Sequence, residues 1–310
     1  MLLRVPGHGN CGADAEAQGG FLAGSSWMKG LLKMARQGEI MRTQGRRRAL
    51  VVDSQSIALR AGTILVFLWG LAASVCPAQP RTVLLVSVAA SVTDAMQEIE
   101  ASYRHDHPQV EIRNNFGSSG TLAREIEQGA PVDVFLSAAS KPMDDLEAQG
   151  LIAAGSRRNL LRNTLVLITS RDVHLSGFAG LTDRSVRVIA VGDPASVPAG
   201  QYAQQTLAYL HLLEGVRSKF VLAKDVRQVL AYVATGNADA GLVYATDAAT
   251  SARVRVVATA PEQAHDPIVY PAAAIAHGRN EAAARAFVDY LGSPAARAIF
   301  QKHGFTVTAQ

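Results

Sequence analysis

From residue 82 onward the apolar positions alternate between two spacings. Residues 82–89, Thr-Val-Leu-Leu-Val-Ser-Val-Ala, form a near-continuous β-branched and aliphatic run, the pattern of a strand buried on both faces of a parallel sheet. Residues 93–103 then place Ala95, Met96, Ile99 and Tyr103 on one stripe at helical spacing. A second strand is predicted over 109–116 and a short helix over 122–128, closed by Gly129 and Pro131. A third strand over 132–137 and a third helix over 141–149, closed by Gly150, complete an α/β lobe.

A second lobe is predicted from about Asn163, with strands over 165–169 and 186–191, helices over 202–210 and 226–234, and a strand over 240–244. Strands over 254–257 and 268–275 carry the chain back, and helices over 281–291 and 294–303 rejoin the first lobe. The expected architecture is therefore α/β with two lobes, 79–162 plus 263–310 and 163–262, each a mainly parallel sheet flanked by helices. A chain that leaves one lobe and returns implies a two-strand hinge with a cleft beside it. Open α/β sheets bind ligands beyond the carboxyl ends of their strands, so the turns there are the places to look for chemistry.

Three of those turns share one arrangement, an apolar run feeding small and hydroxyl residues that open a helix. They read Ala89-Ala90-Ser91-Val92-Thr93-Asp94, Phe116-Gly117-Ser118-Ser119-Gly120-Thr121 and Gly192-Asp193-Pro194-Ala195-Ser196-Val197-Pro198-Ala199-Gly200, and none contains lysine or arginine. A helix start presents unpaired N–H groups and the positive end of its dipole, so such turns can hold an anion without a formal charge. Each also has a plainer reading. Ser91 with Asp94 three positions on resembles a capping box, and Ser118-Ser119 between two glycines is equally a flexible loop. In the third turn two prolines fix the approach, and an amide at Ala199 or Gly200 can face the cleft. Asp225-Val226-Arg227 opens another helix, and Tyr244, ending a strand, carries a phenol able to donate to an oxyanion.

Composition narrows the function classes. At 310 residues, 48% hydrophobic and 18% charged, the chain is globular and long enough for two cores. The net charge of +4 suggests nucleic acid until it is mapped: of 30 Lys/Arg and 26 Asp/Glu, 9 and 4 fall in residues 1–78, which leaves 21 and 22 for the body. No nucleic-acid partner is expected of a body without polycation character. The basicity belongs to a leader, in which Arg46-Arg47-Arg48 and Arg60 precede an apolar run from Ala61 to Val75 and the exit Cys76-Pro77-Ala78. That run falls short of the roughly 20 residues a spanning helix needs, so a secretory signal cleaved after Ala78 is expected. Residues 1–40 lack the look of a signal n-region, and initiation at or near Met41 is expected. Both cysteines, Cys11 and Cys76, lie in residues 1–78; Cys76 as a lipid-anchor site is disfavoured by Val75, where such signals place a small residue.

An enzyme is not expected. Gly117-Ser118-Ser119-Gly120 lacks the spacing of a nucleophile elbow and no histidine lies near the turns. His105-Asp106-His107 follows a helix, precedes Pro108 and has no further ligands for a metal.

Taken together, these strings resemble the periplasmic molybdate-binding proteins of molybdate ABC transporters, within the type II periplasmic-binding fold. The resemblance runs from about Thr82 to Thr306 and rests on Ala89 to Met96, Ser118 to Glu127, Gly129-Ala130-Pro131-Val132-Asp133, Val191 to Pro194 with Val197 to Gly200, Asp225-Val226-Arg227, Val243-Tyr244, Tyr270-Pro271 and Gly304-Phe305. It implies an oxyanion held by the hydroxyls of Ser91 and Ser119, by amides including those of Ser91, Ser119, Ala199 and Val226, and by the Tyr244 phenol. The implied cargo is molybdate and tungstate, with sulfate or phosphate as the alternative, and molybdate is the only metal species expected at those residues. It further implies no cofactor, a membrane permease as partner, a monomer, and the periplasm as location. Gly117 and Gly120 replace the alanine and serine frequent in relatives, and Ala245-Thr246 replaces a glycine-serine pair; the first leaves open whether Ser118 shares the contact. Ser119→Ala is expected to weaken binding without changing the ligand-free thermal midpoint.

Overall fold

The computed structural model describes residues 81–308. The leader features, from the arginine triplet to the cleavage after Ala78, and both cysteines lie outside the described residues. In chain order the elements are β1 (Thr82–Ala89), α1 (Thr93–Asp106), β2 (Val110–Gly117), α2 (Ser119–Glu127), β3 (Val134–Leu136), α3 (Ser140–Ala148) and β4 (Arg158–Arg162). There follow β5 (Leu165–Ser170), β6 (Ile189–Gly192), α4 (Pro198–Tyr209), α5 (Leu213–Val216), β7 (Phe220–Ala223), α6 (Val226–Ala234), β8 (Ala240–Tyr244), α7 (Ala245–Ala249) and β9 (Val254–Thr259). The chain ends with β10 (Val269–Ala274), α8 (Glu281–Leu291), α9 (Pro294–Lys302) and β11 (Thr306–Val307).

Two mixed sheets result, not the mainly parallel ones expected, because the strands near the crossings run antiparallel: one six-stranded in the order β11-β4-β10-β3-β1-β2 and one five-stranded in the order β7-β6-β8-β5-β9. The chain passes from the first to the second between β4 and β5 and returns between β9 and β10. In each sheet the strands that feed the hydroxyl-rich turns are parallel, β1 with β2 and β3, and β6 with β7 and β8. Strands on the crossing path, β4, β5, β9 and β10, pair antiparallel.

Register brings the turns level. Ala89 pairs with Gly117, so β1 and β2 end side by side, and Gly192 pairs with Ala223, so β6 and β7 do the same. Strand β1 is buried along most of its length, as its unbroken apolar run requires. Helix α1, packed on the neighbouring β2, buries the predicted stripe of Ala95, Met96, Ile99 and Tyr103. Fully burying a side chain such as Ile99 contributes about 1.5–3 kcal/mol, which fixes the helix and therefore the turn before it. The Gly192–Gly200 pair shows the tolerance of the third turn: a Cβ on Gly200 would overlap the Gly192 carbonyl, so only glycine lets α4 start this close to the end of β6.

Candidate ligand-binding site

The carboxyl ends of β1, β2, β6, β7 and β8 converge on one small cavity. Its lining includes Ser91, Ser119, Ala199, Val226 and Tyr244, so the five residues singled out in the sequence come together from both sheets. Ser118, Ala138 and Asp225 share the wall, and no lysine or arginine does. All five are at most 4% exposed.

The protons of three hydroxyls decide what the cavity can hold. Ser119 Oγ accepts from the Ala138 amide at 2.8 Å, and Ser91 Oγ lies 3.0 Å from the Tyr270 hydroxyl. The Tyr244 hydroxyl is buried with no protein acceptor in hydrogen-bonding geometry, the Tyr270 phenol being a polar neighbour. Burial raises the Tyr244 pKa well above its ordinary value, so the phenol stays a neutral donor. A buried donor without an acceptor costs about 1–3 kcal/mol unless something else supplies the acceptor, and here that something has to come from the cavity.

Backbone amides add to the set. Ser119, Ala199 and Val226 stand in the first turns of α2, α4 and α6, where an N–H has no intrahelical acceptor. No protein carbonyl accepts from these three amides among the described residues. Neighbouring amides are taken: Gly120 donates to the Ser196 carbonyl at 2.9 Å and Gly200 to the Val197 carbonyl at 2.9 Å. The one carboxylate on the wall, Asp225, is turned to its own helix, accepting from the Gln228 amide at 2.8 Å. The site is thus a ring of neutral hydroxyl and amide donors whose one carboxylate is engaged by its own helix.

Two of the sequence readings change. Ser91 is not a cap: it sits in the 3-10 turn Ala90–Val92, the N-cap of α1 is Val92 without a side-chain bond, and the Ser91 hydroxyl turns to Tyr270 instead. Asp94, read as the other half of a capping box, reaches across to Arg227, with Oδ2 and Nη2 2.7 Å apart. At the second turn the cap is Ser118, whose Oγ accepts from the Thr121 amide and donates to the Thr121 hydroxyl, so its proton is already committed. Ser119, the residue after the cap, is the one left to face the cavity.

Two polar bridges between the sheets flank the cavity. On one side the Gly120 amide meets the Ser196 carbonyl, so close that a Cβ on Gly120 would lie 2.6 Å from that oxygen. On the other Arg227 joins Asp94, and its Nε lies 2.7 Å from Oδ1 of the fully buried Asp247. The cation nearest the site is therefore paired with two carboxylates and offers the cavity no net positive charge. Burial pushes the Asp247 carboxyl up to about 7 against the pull of Arg227.

Sequence reasoning missed Tyr270. The string Tyr270-Pro271 carries the family resemblance, but the role of Tyr270 depends on packing between positions 179 residues apart, which no local pattern carries. The signal present was a tyrosine inside an otherwise apolar strand, since a phenol buried there needs a partner. Among the described residues no three His, Cys, Asp or Glu are grouped to hold a metal, and His107 instead stacks on Tyr103 at 4.2 Å. No helix among them is long and apolar enough to cross a membrane.

Comparison with known proteins identifies a family. The model of the bacterial extracellular solute-binding protein family matches residues 84–306. The putative ABC transporter substrate-binding lipoprotein YvgL of Bacillus subtilis is 42% identical over 230 residues, 74% of this chain and 88% of the relative. The molybdate-binding protein ModA of Escherichia coli is 40% identical over 230 residues, 72% of this chain and 89% of the relative. Among solved structures, the substrate-binding domain of a putative molybdenum ABC transporter from Clostridium difficile aligns with a TM-score of 0.59 and 41% identity, covering 74% of this chain and 100% of that one.

Proposed function

Because the chain belongs to the bacterial extracellular solute-binding protein family, we propose that it captures molybdate, and tungstate with it, and delivers the ion to the permease of an ABC importer. The ring of neutral hydroxyl and amide donors, with no lysine or arginine among them, carries this reading. The ion enters an open cleft, is held first by one lobe, and is enclosed when the other swings in about the crossing strands. Ser91 and Ser119 donate from the first lobe, Tyr244 and the amides of Ala199 and Val226 from the second.

Hydrogen bonds to a charged group contribute about 1.5–3 kcal/mol each, so five to seven of them supply roughly 8–20 kcal/mol before desolvation and ordering are subtracted. A useful affinity needs no arginine. The same donors select. Hydrogen phosphate has a proton to donate and finds no acceptor, so it enters at the cost of an unpaired buried group; sulfate, equally aprotic, is a smaller tetrahedron that cannot reach all the donors at once. Molybdate is cargo here, and no resident cofactor is part of the mechanism. The relatives are solute-binding proteins, and transport rather than catalysis is the role assigned. The place of action is the periplasm, reached through the cleaved signal ending at Ala78, and the working form is a monomer.

Thermal unfolding with and without added oxyanion tests this reading. At a hundredfold excess over the dissociation constant a ligand adds about 2.7 kcal/mol, a rise of roughly 5–10 °C for a body of this size. The rise is expected with millimolar molybdate or tungstate and absent with equal phosphate; no rise with any oxyanion overturns the receptor reading.

A further inference from the structure

Ser91 is tied into a chain of side-chain hydrogen bonds whose direction can be read. Asn163 lies in the two-residue passage between β4 and β5, and its Oδ1 accepts from the Thr164 amide at 2.9 Å. A backbone N–H only donates, which fixes which end of this amide is oxygen. Its Nδ2 therefore points the other way and donates twice, to Thr246 Oγ1 at 2.8 Å and to the Tyr270 hydroxyl at 3.2 Å.

Tyr270 is completely buried, and burial raises its pKa well above the ordinary phenol value, so it keeps its proton. Its oxygen already accepts from Asn163. Among the described residues the only other side chain in hydrogen-bonding geometry with that hydroxyl is Ser91 Oγ at 3.0 Å, the neighbouring Tyr244 phenol being itself a neutral donor. The phenol proton must go there, because a buried O–H without an acceptor is costly. Ser91 Oγ then accepts, and its own proton is left for the cavity.

We propose that Tyr270, oriented by Asn163, is a positioning residue for oxyanion capture: by donating to Ser91 Oγ it turns the Ser91 hydroxyl into a committed donor toward the ligand. This rests on the reading of Ser91 as a ligand residue given above. It has two consequences. Each link in a run of hydrogen bonds strengthens the next, so Ser91 donates more strongly than an isolated serine. The chain also joins both lobes through the crossing segment, since Thr246 belongs to the second sheet's helix α7, Asn163 to the passage, and Tyr270 to β10 of the first sheet. The Ser91 donor is thus set at the same place where the lobes are linked.

The test is a double-mutant cycle on the full protein, with molybdate affinity measured by calorimetry and the thermal midpoint measured without ligand. Tyr270→Phe keeps the ring and its packing on Phe305, 5.5 Å away, and removes only the hydroxyl. It is expected to weaken molybdate binding about tenfold in the wild-type background. In the Ser91→Ala background the same change is expected to weaken binding by less than twofold, because the group it positions is gone. A merely structural role predicts equal losses in both backgrounds, and that result overturns the assignment. So does wild-type affinity in Tyr270→Phe alone. Absence of molybdate binding by the wild-type protein is a different failure, which removes the cargo reading and the Tyr270 assignment with it.

Discussion

Removing the Tyr244 hydroxyl should push affinity and stability in opposite directions. The group is 1% exposed, has no protein acceptor in hydrogen-bonding geometry, and lies on the cavity wall between the two sheets. Tyr244→Phe deletes one oxygen and leaves the ring in place against Tyr270, 5.9 Å away in an edge-on arrangement. In the complex it removes a hydrogen bond to a dianion, about 1.5–3 kcal/mol, which is roughly a 10- to 150-fold loss of affinity. Without ligand it removes a buried hydroxyl whose cost is about 1–3 kcal/mol whenever the lobes are closed and near zero when they are open to water. The ligand-free midpoint is therefore expected to stay level or to rise by up to several degrees, at about 2–4 °C per kcal/mol for this size. Calorimetry with molybdate and a thermal melt of the ligand-free variant read the two quantities separately. A loss of affinity below threefold, or a midpoint that falls in step with affinity, would refute the assignment of this phenol as a ligand donor held in reserve.

Ser119→Ala behaves differently, because Ser119 Oγ also accepts from the buried Ala138 amide. Molybdate affinity should fall tenfold or more, and the ligand-free midpoint should drop by a few degrees as that amide loses its acceptor, a correction to the unchanged midpoint expected from sequence alone. Asp94→Asn removes the charge from the bridge to Arg227; with Asp94 partly exposed, the effect on affinity should be about twofold and should shrink in high salt, as titrations at low and high ionic strength would show. Asp247 gives the ligand-free protein a pH signature. Its folded carboxyl titrates near 7 and the unfolded one near 4, so between those values the folded state holds the proton more tightly and stability falls as pH rises, by at most ~1.4 kcal/mol per pH unit, and levels off above the window. Urea unfolding of the wild type and Asp247→Asn across that range should show the slope in the first and its loss in the second; an equal slope in both would contradict the assignment.

The elements legible in the sequence are those whose burial is simple. Strands β1 and β8, buried along most or all of their length, and helices α6 and α8, amphipathic with clear ends, fall within the predicted bounds because local pattern and tertiary burial agree. Strand β4 was not predicted: Arg-Asn-Leu-Leu-Arg buries only Leu160 and Leu161, and it becomes a strand by pairing with β10 and β11. Strand β7 was missed for the related reason that it lies at a sheet edge and leaves Leu222 exposed. Helices α2 and α4 begin three or four residues before their first clear apolar position, because Ser118 caps the one and Pro198 opens the other.

For the site, residue types sufficed where chemistry is local, since a hydroxyl after a strand and an amide at a helix start announce themselves. They failed where a role depends on distant partners. Tyr270 bonds Ser91 and Asn163, and Asp94, whose spacing from Ser91 suggests a cap, finds its partner 133 residues on in Arg227.

The measurement that bears most directly on the neutral-donor account is competition calorimetry on the purified, ligand-free protein. Molybdate should saturate at one ion per chain, and a hundredfold excess of hydrogen phosphate should leave its apparent affinity unchanged. Displacement of molybdate by phosphate at comparable concentration would mean that the cavity supplies an acceptor or a cation absent from the donor ring described above.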